Sequence, residues 1–556
     1  MSTDPEARAT QSRNSDALPG AAERAAPTIP EPVLEVDEIQ GNVIPGFNKD
    51  YQAFVFLEIT DLPRARDWLA SMVDNIATMR EVLEYSRRFK AVRSATGREM
   101  EEVATWLNVA FSHAGLRKFT PEADSFPESG AFRIGLTDER SSLLEDPSDP
   151  ASEGHVSRWV VGGTHSPVDV LVIGASDSPD ELRKLLHDVF DGTLRDTTAA
   201  GDELLGGTFS LVRVEHGQNL PPPLAGHEHF GFRDGVSQPG VRGRASSGLE
   251  DYVTQRHIDP TDPASVGFGK PGQALIWPGE FVLGLERQND QTPLEPLEPL
   301  PVQPEWARNG SFLVFRRLRQ DVAAFQEFVR AGAAQLREIP GFEDMTDARF
   351  AALLVGRWPS GAPLIRSPEA DAPEIGADDL ANNHFNYAGS APPVRTVGPR
   401  ARTIEGAPAD SPGFLCPHAA HIRKVNPRDL STESGVSTLR RLLRRGIPYG
   451  PVYVEGEIDG MDRGLLFLAY MSSIEEQFEL LQQRWCNTAD KPQEGGHDPI
   501  IGQTESAGGR TRSVTLTSPA GARGTIIVPE EWVVATGGGY FFSPSISTLR
   551  RVLAGA

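Results

Sequence analysis

Apolar residues in this chain gather into short runs, separated by polar or Pro/Gly-rich stretches. Tyr51–Ile59 (YQAFVFLEI) is dense in aromatic and branched side chains and reads as a strand; Leu107–Phe111, residues 167–174 and residues 207–214 read the same way. Between these runs the apolar positions recur at helical spacing. Leu62, Ala65, Trp68, Leu69 and Met72 predict a helix over residues 63–82, and Leu182, Leu185, Leu186, Val189 and Phe190 predict another from Pro179 to Phe190. Ser178, Pro179 and Glu181 give that second helix its start signal: a capping hydroxyl, a proline in the first turn and an acid at the third position.

The second half repeats the plan. Residues 311–318 read as a strand, Asp321 to Leu336 as a helix with Val322, Phe325, Phe328, Val329 and Leu336 inward, and Gly464–Met471 as a buried strand. Ser473 caps a further helix, with Glu476 at its third position and Phe478, Leu480 and Leu481 inside. Strand–helix–strand, twice over, is the order of a ferredoxin-like unit. The expected fold is therefore α+β: two ferredoxin-like domains, each an antiparallel sheet with helices. Residues 1–34, poor in apolar side chains and carrying Pro27, Pro30 and Pro32, are expected to be a disordered arm. The first domain then spans 35–285, a Pro-rich exposed insertion 286–306, and the second domain 307–556. Residues 240–272 read as loop. The long Pro/Ala/Asp/Gly-rich connector over 359–413 is expected to cover a functional site.

The 556 residues are 39% hydrophobic, ample for two cores, and the net charge is -23. That charge repels nucleic acid and anionic membranes, so neither is an expected partner. Two cysteines, Cys416 and Cys486, build no disulfide framework and no four-cysteine metal site. The first 30 residues hold neither an apolar signal core nor a twin-arginine signal, and the expected location is the cytoplasm.

Two stretches carry candidate chemistry. In Gly413–Arg428 an imidazole, His421, stands beside alanines and ahead of Arg423, Lys424 and Arg428. A planar, dianionic, iron-bearing cofactor needs that set: a ligand, room for a ring face and cations for its carboxylates. The alternatives for the stretch alone are a surface turn with an incidental histidine, or a divalent metal held by His421 and His418 with Cys416 or His384. The second stretch is Glu228–Pro239 (EHFGFRDGVSQP). Asp234 there is a carboxyl between glycines, suited to moving a proton at an open site; an ordinary Asp-Gly turn is the alternative.

Gly231-Phe232-Arg233-Asp234-Gly235 matches the GxxDG signature of dye-decolourising peroxidases, and Cys416–Arg428 resembles the segment that carries their proximal haem histidine. Ile39–Asn42, Trp277–Phe281, Ala307–Phe312, Leu443–Gly450 and Gly537–Phe542 extend the resemblance, in family order, over residues 36–556. It implies one non-covalent haem b between the sheet and helices of the C-terminal half, ligated by His421. It further implies Asp234 as distal acid/base, Arg444 as distal cation with Arg445 as alternative, and Arg423 and Arg428 on the propionates. His229 would be a pocket wall, Leu466 and Phe467 apolar lids, and Glu475 or Glu476 the acceptor of the ligand's second ring nitrogen. The implied activity reduces hydrogen peroxide and oxidises phenols, dyes or Mn(II) in one-electron steps. Trp358, Tyr387, Trp485 and Tyr540 are candidates for carrying electrons in from the surface. A haem carrier or deferrochelatase-like protein is the alternative function.

Overall fold

The computed structural model describes residues 31–556 except 98–99, 101, 128–129, 164, 195–199, 260–264, 431, 457–458, 505–509 and 556. Among the described residues ten strands join in one sheet: β1 (Tyr51–Ile59), β2 (Thr105–Phe111), β3 (Val170–Ser176), β4 (Ala200–Leu205), β5 (Phe209–Gln218), β6 (Ser311–Gln320), β7 (Leu443–Arg444), β8 (Ile447–Tyr449), β9 (Gly464–Met471) and β10 (Val533–Ser543). Their order is β7-β9-β6-β10-β2-β3-β1-β5-β4, with β8 also paired to β9. Every pairing is antiparallel. Each half places its first strand centrally, β1 between β3 and β5 and β6 between β9 and β10, which is the ferredoxin-like arrangement. The halves join where Phe542 of β10 pairs with Phe111 of β2.

Side chains alternate across the sheet because strand periodicity is two. Ala53, Val55 and Leu57 face helices α1 (Leu62–Met72) and α3 (Pro179–Val189). Phe54 and Phe56 face the other way and meet Phe315 of the second half, at ring separations of 6.3 and 4.9 Å. Ser178 caps α3 by accepting the Glu181 N–H.

The helix expected over 63–82 is two. The chain breaks after Asn75, and α2 (Met79–Thr96) starts afresh on a reciprocal cap, in which Thr78 accepts the Glu81 N–H and the Glu81 carboxylate accepts the Thr78 N–H at 2.7 Å. Order also begins earlier than residue 35. The Glu31 carboxylate takes Arg242 at 2.8 Å, Arg256 at 3.0 Å and the Gly243 N–H at 2.8 Å, and Leu34 is buried. The rest of the expected arm, 1–30, lies outside the described residues. In the Pro-rich run Arg287 pairs with Leu297, and Trp277 Nε1 donates to Pro293 O at 3.1 Å. The segments after Ser473, Ile474–Glu479 and Leu481–Cys486, are wound in wide π-type turns. Among the described residues no helix is long and apolar enough to cross a membrane.

Glu280 yields a stability prediction. Burial pushes its carboxyl up to about 7, against a hydrogen bond from the Gln288 N–H that favours the charged form. The folded state thus holds a proton that the unfolded chain releases. Stability from this group is full below the ordinary carboxyl value and is lost as pH rises through about 7. Glu280→Gln keeps an acceptor for Gln288 without the charge. Urea unfolding is expected to show the variant more stable than wild type by about 2 kcal/mol at pH 8 and by close to nothing at pH 4.

Candidate active site

A cavity lies on the helix-covered face of the second-half sheet. Arg316, Leu318 and Gln320 of β6 and Leu465 and Phe467 of β9 face it, as alternate strand positions must. Leu466, expected as a lid, points the opposite way into the core between the halves. Phe478, Leu481 and Cys486 line the cavity from the π-wound segments, and His421, Ile422 and Val425 line it from α4 (His421–Val425), a short helix. The segment around Asp234 completes the wall.

Asp234 and Arg444 meet there, with Arg444 Nη1 donating to Asp234 Oδ1 at 3.1 Å. Gly231 and Gly235 flank the acid at φ +90° and +71°, and a Cβ at either would meet nothing within 4 Å. Glycine is needed for the left-handed backbone rather than for close packing against protein. Gln238 fixes the arginine's main chain: its Nε2 donates to Arg444 O at 3.1 Å, and its Oε1 faces the Arg444 N–H at 3.4 Å. Arg445 is turned away, donating to Asn42 O and Val43 O.

His421 faces the same cavity. Its Nδ1 bonds Asp498 Oδ2 at 2.8 Å, while Asp498 Oδ1 accepts the N–H groups of Ile500 and Ile501 at 2.8 and 3.0 Å. Burial lowers the imidazole's proton affinity, but the charge and hydrogen bond of Asp498 outweigh it and the pKa rises. The expected partners are engaged elsewhere: Glu475 accepts the Ala131 N–H, and Glu476 pairs with Arg440 at 2.8 Å. Asp498 was missed because it lies 77 residues from the histidine. The only local signal is the Gly-His-Asp-Pro turn at 496–499. The segment leading to His421 hangs on Asp410, whose carboxylate accepts the N–H groups of Phe414, Leu415 and Cys416 at 2.8, 3.2 and 2.8 Å.

Arg233, Arg357, Arg428, Arg440, Arg441 and Arg444 line the cavity along with Arg316. Arg428 donates to Asn383 O and Phe385 O, and its guanidinium lies 3.6 Å over the Phe385 ring. The Arg441 carbonyl accepts from Gln477 Nε2 at 2.7 Å, but among the described residues its guanidinium has no hydrogen-bond or ion-pair partner. Burial, then repulsion from Arg428 and Arg444, brings its pKa down to about 9. Burial and the same kind of repulsion bring Arg357 to about 9. A buried cation without a counter-charge is costly. A ligand bearing two carboxylates would supply the missing charge, while the apolar walls suit a flat ring and His421 Nε2 is free to bind a metal. The residues present fit haem.

Other expected positions stand apart. Arg423 does not line the cavity: its guanidinium donates to Asp410 O and Cys416 O at 2.9 Å each and lies 4.4 Å over the Tyr387 ring. It holds the segment leading to His421 together. His229 also faces away. Its Nε2 bonds Tyr449 O at 2.8 Å, while Glu228 and Phe230 on either side line the cavity. His418 spends both ring nitrogens on backbone carbonyls, and His384 bonds Pro392 O. Trp358, Tyr387, Trp485 and Tyr540 are all at most 3% exposed, so none lies at the surface.

Comparison with known proteins identifies relatives over nearly the whole chain. A family model described as the DyP dimeric alpha+beta barrel domain matches residues 38–203, and one for the C-terminal part of Dyp-type peroxidases matches 392–499, which contains both His421 and Asp498. The dye-decolorizing peroxidase msp1 of Mycetinis scorodonius is 31% identical across 96% of this chain and 90% of its own length. The dye-decolorizing peroxidase AauDyP1 of Auricularia auricula-judae is 29% identical across 96% and 88%. Among solved structures, an ancestral D-type dye decolorizing peroxidase superposes with a TM-score of 0.71 at 30% identity, over 94% of this chain and 99% of that one. A dye-decolorizing peroxidase in complex with 2,6-dimethoxyphenol gives 0.66 at 28%, over 94% and 100%.

Proposed function

This chain belongs to the dye-decolorizing peroxidase family, and from that premise we propose that its cavity would hold one non-covalent haem b, with His421 to ligate its iron and Asp234 and Arg444 to act on the peroxide. The protein is a hydrogen-peroxide-dependent peroxidase. When bound, the haem supplies a Lewis-acidic iron and a store of oxidising equivalents. The chain supplies the rest. His421 offers Nε2 to the metal because Nδ1 is committed to Asp498. The Asp234 carboxylate would take a proton from one oxygen of hydrogen peroxide and return it to the other. Arg444 would offset the negative charge that builds on the departing oxygen. Arg428 and Arg441 would hold the propionates.

The donors we propose are phenols and dyes, each giving one electron at a time, with Mn(II) as a further donor to test. The phenol complex of a related enzyme supports the first class. The observation that carries the proposal is the 3.1 Å contact between Asp234 and Arg444 on a cavity that His421 also lines. The test is the visible spectrum of haem-loaded protein mixed with one equivalent of peroxide. Wild type is expected to change its Soret band rapidly, and Asp234→Asn about 100-fold more slowly. Equal rates would favour a haem carrier or iron-removing protein, which has no use for the acid.

A further inference from the structure

We infer that Glu228 is a positioning residue for Asp234: its carboxylate closes the turn from Glu228 to Phe232 and ties it to β6, so fixing where the Asp234 carboxyl stands in the cavity. The inference rests on the role proposed for Asp234.

Glu228 sits within the cavity wall, six residues before Asp234. Its Oε2 accepts the Phe230 N–H at 2.9 Å and also a hydrogen from Gln320 Nε2; its Oε1 accepts the Phe232 N–H at 2.9 Å. Its main chain closes the same turn, with the Gly231 N–H donating to Glu228 O at 2.9 Å and the Glu228 N–H to Phe232 O at 3.0 Å. Two residues later comes Asp234, whose carboxylate, among the described residues, accepts from the Gly235 N–H and from Arg444. The Asp234 N–H donates to Gly226 O at 3.1 Å, and Glu228 fixes the turn from 228 to 232 that leads into it.

Residue 228 has to be a carboxylate for a chemical reason. Three N–H donors converge on it, and only a group that accepts at both oxygens satisfies all three. Glutamine would turn an NH2 toward the Phe232 N–H, or toward Phe230 and Gln320. Gln320 is buried at 6% exposure, and its Oε1 has no partner, so β6 contributes this side chain for its donor alone. Burial pushes the Glu228 carboxyl up to about 7, and the three donors and the nearby charge of Asp234 act on it in opposite senses. The fold tolerates a buried acid here to gain a fixed turn.

The experiment uses haem-loaded wild type, Glu228→Gln, Asp234→Asn and the double variant, with peroxide rates normalised to Soret absorbance. Glu228→Gln is expected to slow the reaction about 10-fold, and the double variant to be no slower than Asp234→Asn. Hydrogen exchange at the Phe230 and Phe232 amides should be about 10-fold faster in Glu228→Gln. If the two effects multiply, or exchange is unchanged, the inference is overturned. Should Glu228→Gln not fold, Gln320→Leu removes one of the three donors from outside the turn and is expected to shift both readouts the same way by about threefold. If Asp234→Asn itself reacts like wild type, the role of Asp234 falls. The exchange measurement then still decides whether Glu228 closes the turn.

Discussion

Arg444→Leu is expected to slow the reaction with hydrogen peroxide by about 10³-fold, read by stopped-flow absorbance, with haem content near that of wild type. The size follows from how the side chain is held. Gln238 brackets the main chain of Arg444, Ser237 O accepts from Nη2 at 3.4 Å, and Asp234 accepts from Nη1. The positive charge is thus in place before any bond to oxygen breaks, and no reorganisation is needed when negative charge develops. Leucine fills much of the stem's volume but supplies no charge and no donor. Arg444→Lys should recover only part of the rate, because an ammonium cannot reach Asp234 and Ser237 with a planar fork. A rate for Arg444→Leu within about threefold of wild type would remove the guanidinium from the reaction.

The second large effect concerns His421. His421→Ala is expected to lose haem on gel filtration, because among the described residues no other histidine lines the cavity. Asp498→Asn is the sharper test. Two backbone N–H groups, from Ile500 and Ile501, fix one oxygen of the acid, and the other receives His421 Nδ1–H. An asparagine keeps its oxygen toward the two N–H groups and presents NH2 to the imidazole. The ring then has to carry its proton on Nε2, the nitrogen that should bind iron. Haem titration is expected to show affinity reduced by about 10- to 100-fold. Wild-type affinity in Asp498→Asn would mean that the carboxylate does not set the tautomer.

Several of these features were legible in the sequence and others were not. β1 and β9 are runs of aromatic and branched residues bounded by polar ones, and the pattern gives their limits to the residue. The break between α1 and α2 was hidden because apolar spacing continues across it; its true signal, Thr78 with Glu81, lay inside the expected helix. β10 carries Gly537, Gly538 and Gly539, which strand propensity disfavours. They are there because neighbours press in: a Cβ on Gly538 would come within 2.6 Å of Leu136, and one on Gly537 within 2.8 Å of Val161. At the site, the residues set in motif runs could be found. Asp498 and Arg441 gain meaning only once the chain is folded, as does the bracket that Gln238 makes on Arg444. Arg423 misled because a basic residue beside a ligand segment looks the same whether it faces the cofactor or buttresses the loop.

β10 also bears on how the molecule is made. It is synthesised after every other strand of the sheet, yet it belongs between β6 and β2. Until it emerges from the ribosome, both neighbours present bare edges able to pair with another nascent chain. Its first residue, Val533, also lines the cavity, so the cofactor chamber lacks a wall until then. Chains stalled before β10 are expected to aggregate rather than wait.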